Sequence, residues 1–349
     1  MKNRIFEIYL KTFIRFLTVL GVTKWTKKIN QSKINGRDKV LIEEARRRRL
    51  QIENLLFLAK PTRFYQVKKN NRSYFYETMP LGNSYNRIPH ELVDNKWFIK
   101  KILWQNKIPT ANGQLVSNID EALRYIATVN FPVVIKPINE SRCLGVTIDI
   151  RNKKELVRAV REVQQFGRKF LIEEFLAGQS YRVTVVNNQV VATCLRKPPQ
   201  VIGDGGHTIS QLVASKNNHP RRIGPTICPI KIDRELLKKQ NLSLRTIPAK
   251  NQKIILNRKI NLGSGADIID LTEEINPKIA ELCLRVAQIF DARILGLDIL
   301  VPDITKSPSR KNSVYVIEIN SLPFIDMHHY PCQGKPRNVA AAIWQMVLG

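Results

Sequence analysis

The chain of 349 residues is short of acid: 57 Lys and Arg stand against 29 Asp and Glu, a formal net charge of +28. That balance favours an anionic partner such as nucleotide, acidic substrate, polyanion or anionic membrane surface, unless it serves only to solubilise. Aromatic residues are few, at 7%, and no zinc-finger, RNP-like or basic-zipper pattern occurs, which argues against nucleic acid. Cysteine is also scarce. Cys143, Cys194, Cys228, Cys283 and Cys332 are scattered, odd in number and never spaced CxxC. This excludes a disulfide framework and a zinc site, and points to a reducing, cytoplasmic compartment. No uninterrupted apolar run is long enough to span a bilayer. The nearest, "MKNRIFEIYLKTFIRFLTVLGVTKW", is broken by Glu7, Lys11 and Arg15, each costing roughly 2.5–3.5 kcal/mol at mid-bilayer. No small-residue cleavage pattern follows it, and the chain has no internal repeat.

What is present is a globular chain, 43% apolar and long enough for two or three subdomains. Residues 1–37 carry nine basic residues and one acid. In them Phe6, Tyr9, Leu10, Phe13, Leu17 and Leu20 form a stripe at helical spacing, opposite Glu7, Lys11 and Arg15. The spacing predicts an amphipathic helix that docks on its own domain or rests on a membrane surface through residues 1–25. Residues 38–60 read as a second helix, with Arg46–Arg49 on a solvated face, and residues 61–93 as a small strand-rich piece. Helices are then expected at "DNKWFIKKILWQNK", "IDEALRYIATVN", "KKELVRAVREVQQF", "NPKIAELCLRVAQIF" and "RNVAAAIWQMVL". Strands are expected at "FPVVIKP", "KFLIEEFLAG", "ARILGLDILVP" and "VYVIEINSLP". "SYRVTVVNNQVVATCLR" reads as a hairpin turning at Asn187-Asn188. Residues 197–250 form a long turn-rich excursion, of the kind that is usually functional or mobile. Helices alternating with strands and hairpins make the class α+β.

Several polar residues sit where an apolar strand would not place them. In "VYVIEINSLP" Glu318 and Asn320 point to one face, Ile317 and Ile319 to the other. Asp298 lies inside the aliphatic run "GLDILV". Two carboxylates and an amide on adjacent strands suit Mg²⁺, which takes few protein ligands and keeps its other positions for water and phosphate; pairing with a basic residue is the alternative for each acid alone. Lys136 ends the strand "VVIKP", where it reaches solvent or a phosphate. Lys96 near a helix start is a weaker candidate of the same kind. Glu173 and the backbone from Glu174 to Leu176 in "LIEEFLAG" can meet a purine edge. The turn after Lys136, "INESRCLG", holds one glycine, Gly145. A phosphate needs converging N–H groups and no bulk there, and the small residues Ser141 and Cys143 meet that need. His328 and His329 form no triad with any serine; they either line the same cavity or form an uninvolved loop pair.

These pieces in this order resemble the ATP-grasp superfamily, and within it the ATP-grasp region of cyanophycin synthetase and the glutathione synthetase-like domain of bifunctional bacterial enzymes. The resemblance runs from about Lys96 to the end and is carried by "NKWFIKKILWQNKIP", "FPVVIKP", "GVTIDI", "LIEEFLAGQSYRV", "RKPPQVIGDGGHTISQLV", "NLGSGADIIDLT", "LGLDIL", "IEINSLP" and "YPCQGKPRNVAAAI". The Mur-ligase-like domain of full cyanophycin synthetase is not among them. The resemblance implies an ATP-grasp fold in which two α+β subdomains grip ATP, preceded by a small domain. The expected divisions are 1–37, 38–93, 94–195, 196–250 for a mobile substrate-side insertion, and 251–349 for the metal-binding subdomain.

It further implies that Lys96 and Lys136 hold ATP phosphates, with the 141–145 turn as their lid. Glu173, Glu174 and Leu176 would hold the adenine, and Asp298, Glu318 and Asn320 would bind Mg²⁺ or Mn²⁺. Arg182, Arg258 and Asn261 would stand beside the reacting phosphate or carboxylate. Ser180 replaces the acid that holds the ribose in the family, the turn lacks the family's glycines, and "NRK" replaces "RRN" before Ile260-Asn261. The implied activity is ADP-forming ligation of a carboxylate to an amine through an acyl phosphate, on an amino acid or peptide. A non-catalytic ATP binder and a membrane-peripheral adaptor are the rivals, and homo-oligomerisation stays open.

Overall fold

The computed structural model describes residues 12–29, 34–70, 72–80, 95–140, 143–222 and 226–349. Ser141 and residues 1–11 of the amphipathic stretch lie outside them. Among the described residues no helix is long and apolar enough to cross a membrane.

The N-terminal unit is an antiparallel sheet in the order β1 (Thr23–Thr26), β2 (Gln51–Phe57), β3 (Lys60–Lys69), β4 (Arg72–Glu77). The helix expected over 38–60 is shorter: it runs Gly36–Arg47, and β2 follows. Arg49 adopts φ 57°, which ends the helical path, and Leu50 onward joins the sheet. Asn35 caps the helix by accepting from Asp38 N. Arg46–Arg49 are exposed as expected, and Arg47 and Arg48 both clasp the buried Glu44. The core of this unit includes Ile42, Ile52, Tyr65, Val67 and Tyr76. It is completed by Trp344 from the C-terminal helix Val339–Leu348, whose indole N–H donates to Leu41 O at 2.9 Å. The N-terminal sheet and the C-terminal helix therefore share one core.

The next sheet has the order β5 (Gly113–Val116), β8 (Phe170–Glu174), β6 (Val133–Pro137), β7 (Thr147–Ile150). Helices Ile119–Val129 and Lys153–Val163 bury Ala122, Ile126, Leu156 and Val160 against it. The third sheet has the order β13 (Asp267–Asp270), β10 (Gln189–Lys197), β9 (Gln179–Val186), β14 (Ile294–Val301), β15 (Tyr315–Asn320). Helix Pro277–Ile289 covers one face, packing Ile279, Cys283 and Val286 on Val183, Leu295 and Leu297. Asn187 and Asn188 turn the β9–β10 hairpin with φ 49° and 60°, the left-handed pair that a two-residue hairpin turn requires. Every ladder is antiparallel, with helices laid on sheet faces, as the α+β class anticipates.

Two expectations change. The subdomain boundary placed at 195/196 falls between β8 and β9, because β9 and β10 pair with β14 and β13. The excursion after Lys197 is not a bare loop. β11 (Gln200–Ile202) and β12 (Lys253–Ile255) pair at its base, and Val201, Ile209, Val213, Leu237, Ile254 and Leu256 give it a core of its own. Lys216 (2.5 Å) and Arg222 pin it to Asp267 on β13.

Candidate active site

The uncovered face of the third sheet carries the expected acids in one row. β9–β14 register sets Arg182 beside Asp298, and β14–β15 register sets Asp298 beside Glu318. Neighbours across a ladder share a face, so a single line runs Arg182, Asp298, Glu318, with Asn320 two residues along on the same side. Asp298 is clasped twice: Arg182 Nε lies 2.5 Å from Oδ1 and Arg196 Nη2 lies 3.1 Å from Oδ2. Burial by itself would raise its pKa, but the two guanidinium groups outweigh burial and hold the carboxyl below the usual range, hence ionised. Gly296 makes room for this: a Cβ there would lie 2.7 Å from Pro323 Cβ and 3.1 Å from Arg182 Nη1.

Two polar atoms in this row are buried and without a hydrogen-bond partner, Arg182 Nη1 and Asn320 Nδ2. An unpaired buried donor costs about 1–3 kcal/mol, so both mark places where a ligand group or water would be welcome. Among the described residues no three His, Cys, Asp or Glu side chains cluster as metal ligands. The donor set is two carboxylates and an amide. It fits a hard divalent cation: Glu318 is only half-buried, Asn320 can flip to present its oxygen, and Asp298 is kept ionised.

Helix Lys96–Gln105 joins this row to the β5–β8–β6–β7 sheet. Asn95 caps it by accepting from Phe98 N, and Ile99 and Leu103 pack into the core of the third sheet. From its first turn Lys96 Nζ reaches to 3.6 Å from Glu318 Oε1 and also donates to Glu140 O. One turn on, Lys100 reaches the other way, to Glu173 Oε1 on β8 at 2.8 Å. Lys136 of β6 meets Glu173 Oε2 at 2.7 Å. Glu173, expected at the adenine, is buried beneath two lysines. Burial would raise its pKa, yet Lys136 and Lys100 hold it below its ordinary value. Burial lowers the pKa of Lys100, with Glu173 opposing.

The strand end beyond Glu173 faces solvent differently. Glu174 N donates to Asn112 O, and Glu174 Oε1 accepts from Asn112 N at 2.8 Å. Phe175 is exposed and Leu176 half-buried, and Phe175 N donates to Pro132 O at 3.1 Å. Ser180 Oγ accepts from Arg196 Nη2 at 2.8 Å.

The turn after Lys136 lies over the charged row. Cys143 takes φ 60°. Its thiol is pushed up by burial, while its hydrogen bond to Asn261 opposes that, with Arg196, Glu318 and Asp298 close enough to act on it. Gly145 is required: at φ +65° a Cβ would lie 2.6 Å from Phe166 and 2.8 Å from Pro137. Asn261 Oδ1 also accepts from Ser264 N at 2.8 Å. Arg258 is half exposed and crosses to β7, where its Nη1 lies 3.3 Å from Asp149 Oδ2. The two histidines serve structure. His328 Nε2 lies 2.8 Å from Thr184 Oγ1 and His329 Nε2 accepts from Ala340 N at 3.3 Å. Burial depresses their pKa values to about 3 and about 4.

The structure therefore brings together Lys96, Lys136, Cys143, Gly145, Arg182, Asn261, Asp298, Glu318 and Asn320. Sequence reasoning missed Lys100, Arg196 and Asp149. Lys100 sits one helical turn from Lys96, and Arg196 sits on β10, a strand already identified, two residues from Cys194; those spacings were the available signals.

Residues 93–201 match the family model described as a RimK-like ATP-grasp domain. Together with the two facing sheets, this establishes that the chain belongs to the ATP-grasp superfamily. Within it, the chain is 35% identical over 267 residues to a cyanophycin synthetase of Trichormus variabilis, covering 74% of this chain and 29% of that protein. It is 32% identical over 274 residues to a bifunctional glutathione biosynthesis protein of Mannheimia succiniciproducens, covering 72% of this chain and 36% of that one. The crystal structure of a bifunctional glutathione synthetase from Pasteurella multocida superposes with a TM-score of 0.67 at 26% identity, over 90% of this chain and 44% of that one. The chain thus spans roughly a third of the length of these two curated relatives.

Proposed function

We propose that the protein is an ATP-dependent, ADP-forming carboxylate–amine ligase acting on an amino acid or peptide. The observation that carries this is the helix Lys96–Gln105 linking two charge clusters: Lys96 Nζ lies 3.6 Å from Glu318 of the Asp298–Glu318–Asn320 row, and Lys100 shares Glu173 with Lys136. The named relatives are consistent with it.

In this reading Lys96 and Lys136 hold the phosphates as point charges, and backbone beyond Glu174 meets the adenine. Asp298, Glu318 and Asn320 would hold Mg²⁺ or Mn²⁺, which when bound would neutralise charge on the phosphate oxygens. A substrate carboxylate oxygen attacks the γ-phosphorus, the bond to the β-phosphate oxygen breaks, and ADP leaves with the acyl phosphate formed. The amine then attacks the acyl carbon, loses a proton and expels phosphate. The protein contributes position and charge more than covalent chemistry. Arg182, with its unpartnered Nη1, would steady the negative charge that develops, with Arg258 and Asn261 in the same role. The excess of cations suits an acidic amino acid or peptide as one substrate.

The test is phosphate release from ATP and Mg²⁺ across paired amino acids, dipeptides and amines. Release should need both an acid and an amine, and Lys136→Met should lower it by about a hundredfold. Nucleotide binding without release for any pair would instead establish a non-catalytic ATP binder, a reading favoured by the arginine clasp already occupying Asp298.

A further inference from the structure

The N-terminal sheet bears a surface that ligation does not use. Residues 12–19 are helical, and Ile14 is buried. Phe13, Phe16 and Leu20 are each more than half exposed, and Val19 is 86% exposed. Of the expected stripe, Phe6, Tyr9 and Leu10 lie outside the described residues, Leu17 is half-buried, and Phe13 and Leu20 face solvent. The chain then enters β1, and Val22 O accepts from Leu58 N at 2.9 Å. The helix end therefore abuts the tip of the β2–β3 hairpin, where Phe57 and Leu58 are exposed as well, Leu58 by 64%.

That tip is built against local preference. Leu58 and Ala59 have φ 47° and 63°, the left-handed pair that Asn-Gly fills most easily. A leucine there bears a backbone cost and leaves its side chain in water, and it packs into no core. The charged residues of the segments that form it are all of one sign, although Arg63 also interacts with Asp38. Arg15, Lys24, Lys27, Lys28, Lys60 and Arg63 are the only charged residues of 12–29 and 55–63, and all six are exposed. A second copy meeting this face symmetrically would set six cations against six cations.

We propose that this surface docks on an anionic lipid bilayer, with the helix end and the hairpin tip entering the interface together and the six cations meeting the head groups. Apolar side chains ringed by basic ones and free of acid are what such an interface selects. The inference does not depend on the ligase reading, since it uses none of the residues of that site.

The experiment is co-sedimentation of the full chain with vesicles of phosphatidylcholine alone or mixed with phosphatidylserine. Binding to the mixed vesicles should exceed binding to the neutral ones by about tenfold or more, and should fall in high salt. Phe16→Glu and Leu58→Asn should each weaken it by about tenfold. Leu58→Asn is the discriminating variant, because asparagine suits the left-handed turn: its melting temperature should hold or rise while vesicle binding falls. Equal binding to both vesicle types, or none to either, overturns the proposal. So does a dimer in analytical ultracentrifugation that Leu58→Asn splits, which would assign the surface to a second copy.

Discussion

Each of the two facing sheets buries a charge cluster, and the clusters are built in opposite ways. Around Glu173 two lysines converge on one carboxylate, whose oxygens lie 2.8 and 2.7 Å from Lys100 and Lys136. The cluster is closed by ion pairs, with one positive charge in excess, although Glu173 Oε1 makes no hydrogen bond. Around Asp298 two arginines meet two carboxylates, Glu318 stays half-buried, and Arg182 Nη1 and Asn320 Nδ2 have no partner. That cluster takes Lys96 as a third cation, 3.6 Å from Glu318, and is open at two buried donors. The closed one has its geometry set by the protein alone and offers a fixed cation. The open one leaves bonds to be made by something not in the chain. The helix Lys96–Gln105 touches both, through Lys96 to Glu318 and through Lys100 to Glu173.

The largest effect should come from the open cluster. Asp298→Asn removes the charge that both Arg182 and Arg196 clasp. Phosphate release should fall at least about a hundredfold, and the two arginines left buried should cost about 3–5 kcal/mol of stability. Glu318→Gln separates the two effects. Its side chain is 31% exposed, so it should lower release comparably and leave the melting temperature within a degree or two. If Glu318→Gln destabilises as much as Asp298→Asn does, the row is a structural network and the comparison fails.

The closed cluster should answer with stability first. Glu173→Gln strands two buried lysines and should cost about 3–5 kcal/mol in denaturant melts. The pH dependence has a definite sign. The pKa of Glu173 is lower folded than its ordinary 4.5, so the unfolded chain binds the proton more readily. Its stabilisation is complete above the unfolded value and is lost as pH falls from about 4.5 through the folded value. Glu173→Gln should flatten that acid limb. An unchanged limb would mean that other carboxylates set it.

The open cluster was far more legible in the sequence than the closed one. Asp298, Glu318 and Asn320 are polar residues inside aliphatic strands, and alternation alone assigns them a shared face. Asn187-Asn188 marks its own turn, and Lys136 ends a strand visibly. Glu173 looked like a solvent-facing strand end, because the helix that buries it begins 77 positions earlier. Lys100 reads as any helical lysine until that helix is laid across both sheets. The lobe boundary was misplaced for the same reason: nothing local says which sheet a hairpin joins. The helix over 38–60 ran too long because Ile52, Leu55 and Leu56 fit helical spacing as well as a strand, and only the left-handed Arg49 divides them.

The smallest effect should come from the contacts that bridge the clusters. Cys143 meets Asn261, and Arg258 meets Asp149 at 3.3 Å. Arg258 is half exposed, so its pair is worth only about 0–1 kcal/mol, and breaking it should barely move the melting curve. Its effect on nucleotide should be visible all the same. In the proposed reading a reacting phosphate draws Arg258 away from Asp149, and that cost is absent in Asp149→Asn, which should tighten nucleotide binding a few-fold by calorimetry. Cys143→Ser keeps a small side chain beside Asn261 and should bind nucleotide as the parent does, whereas a bulky maleimide on Cys143 should weaken it by about tenfold or more. Unchanged affinity after complete alkylation would mean that the turn closes over something other than the phosphates. Lys96 and Lys136 would then face the open cluster without a lid.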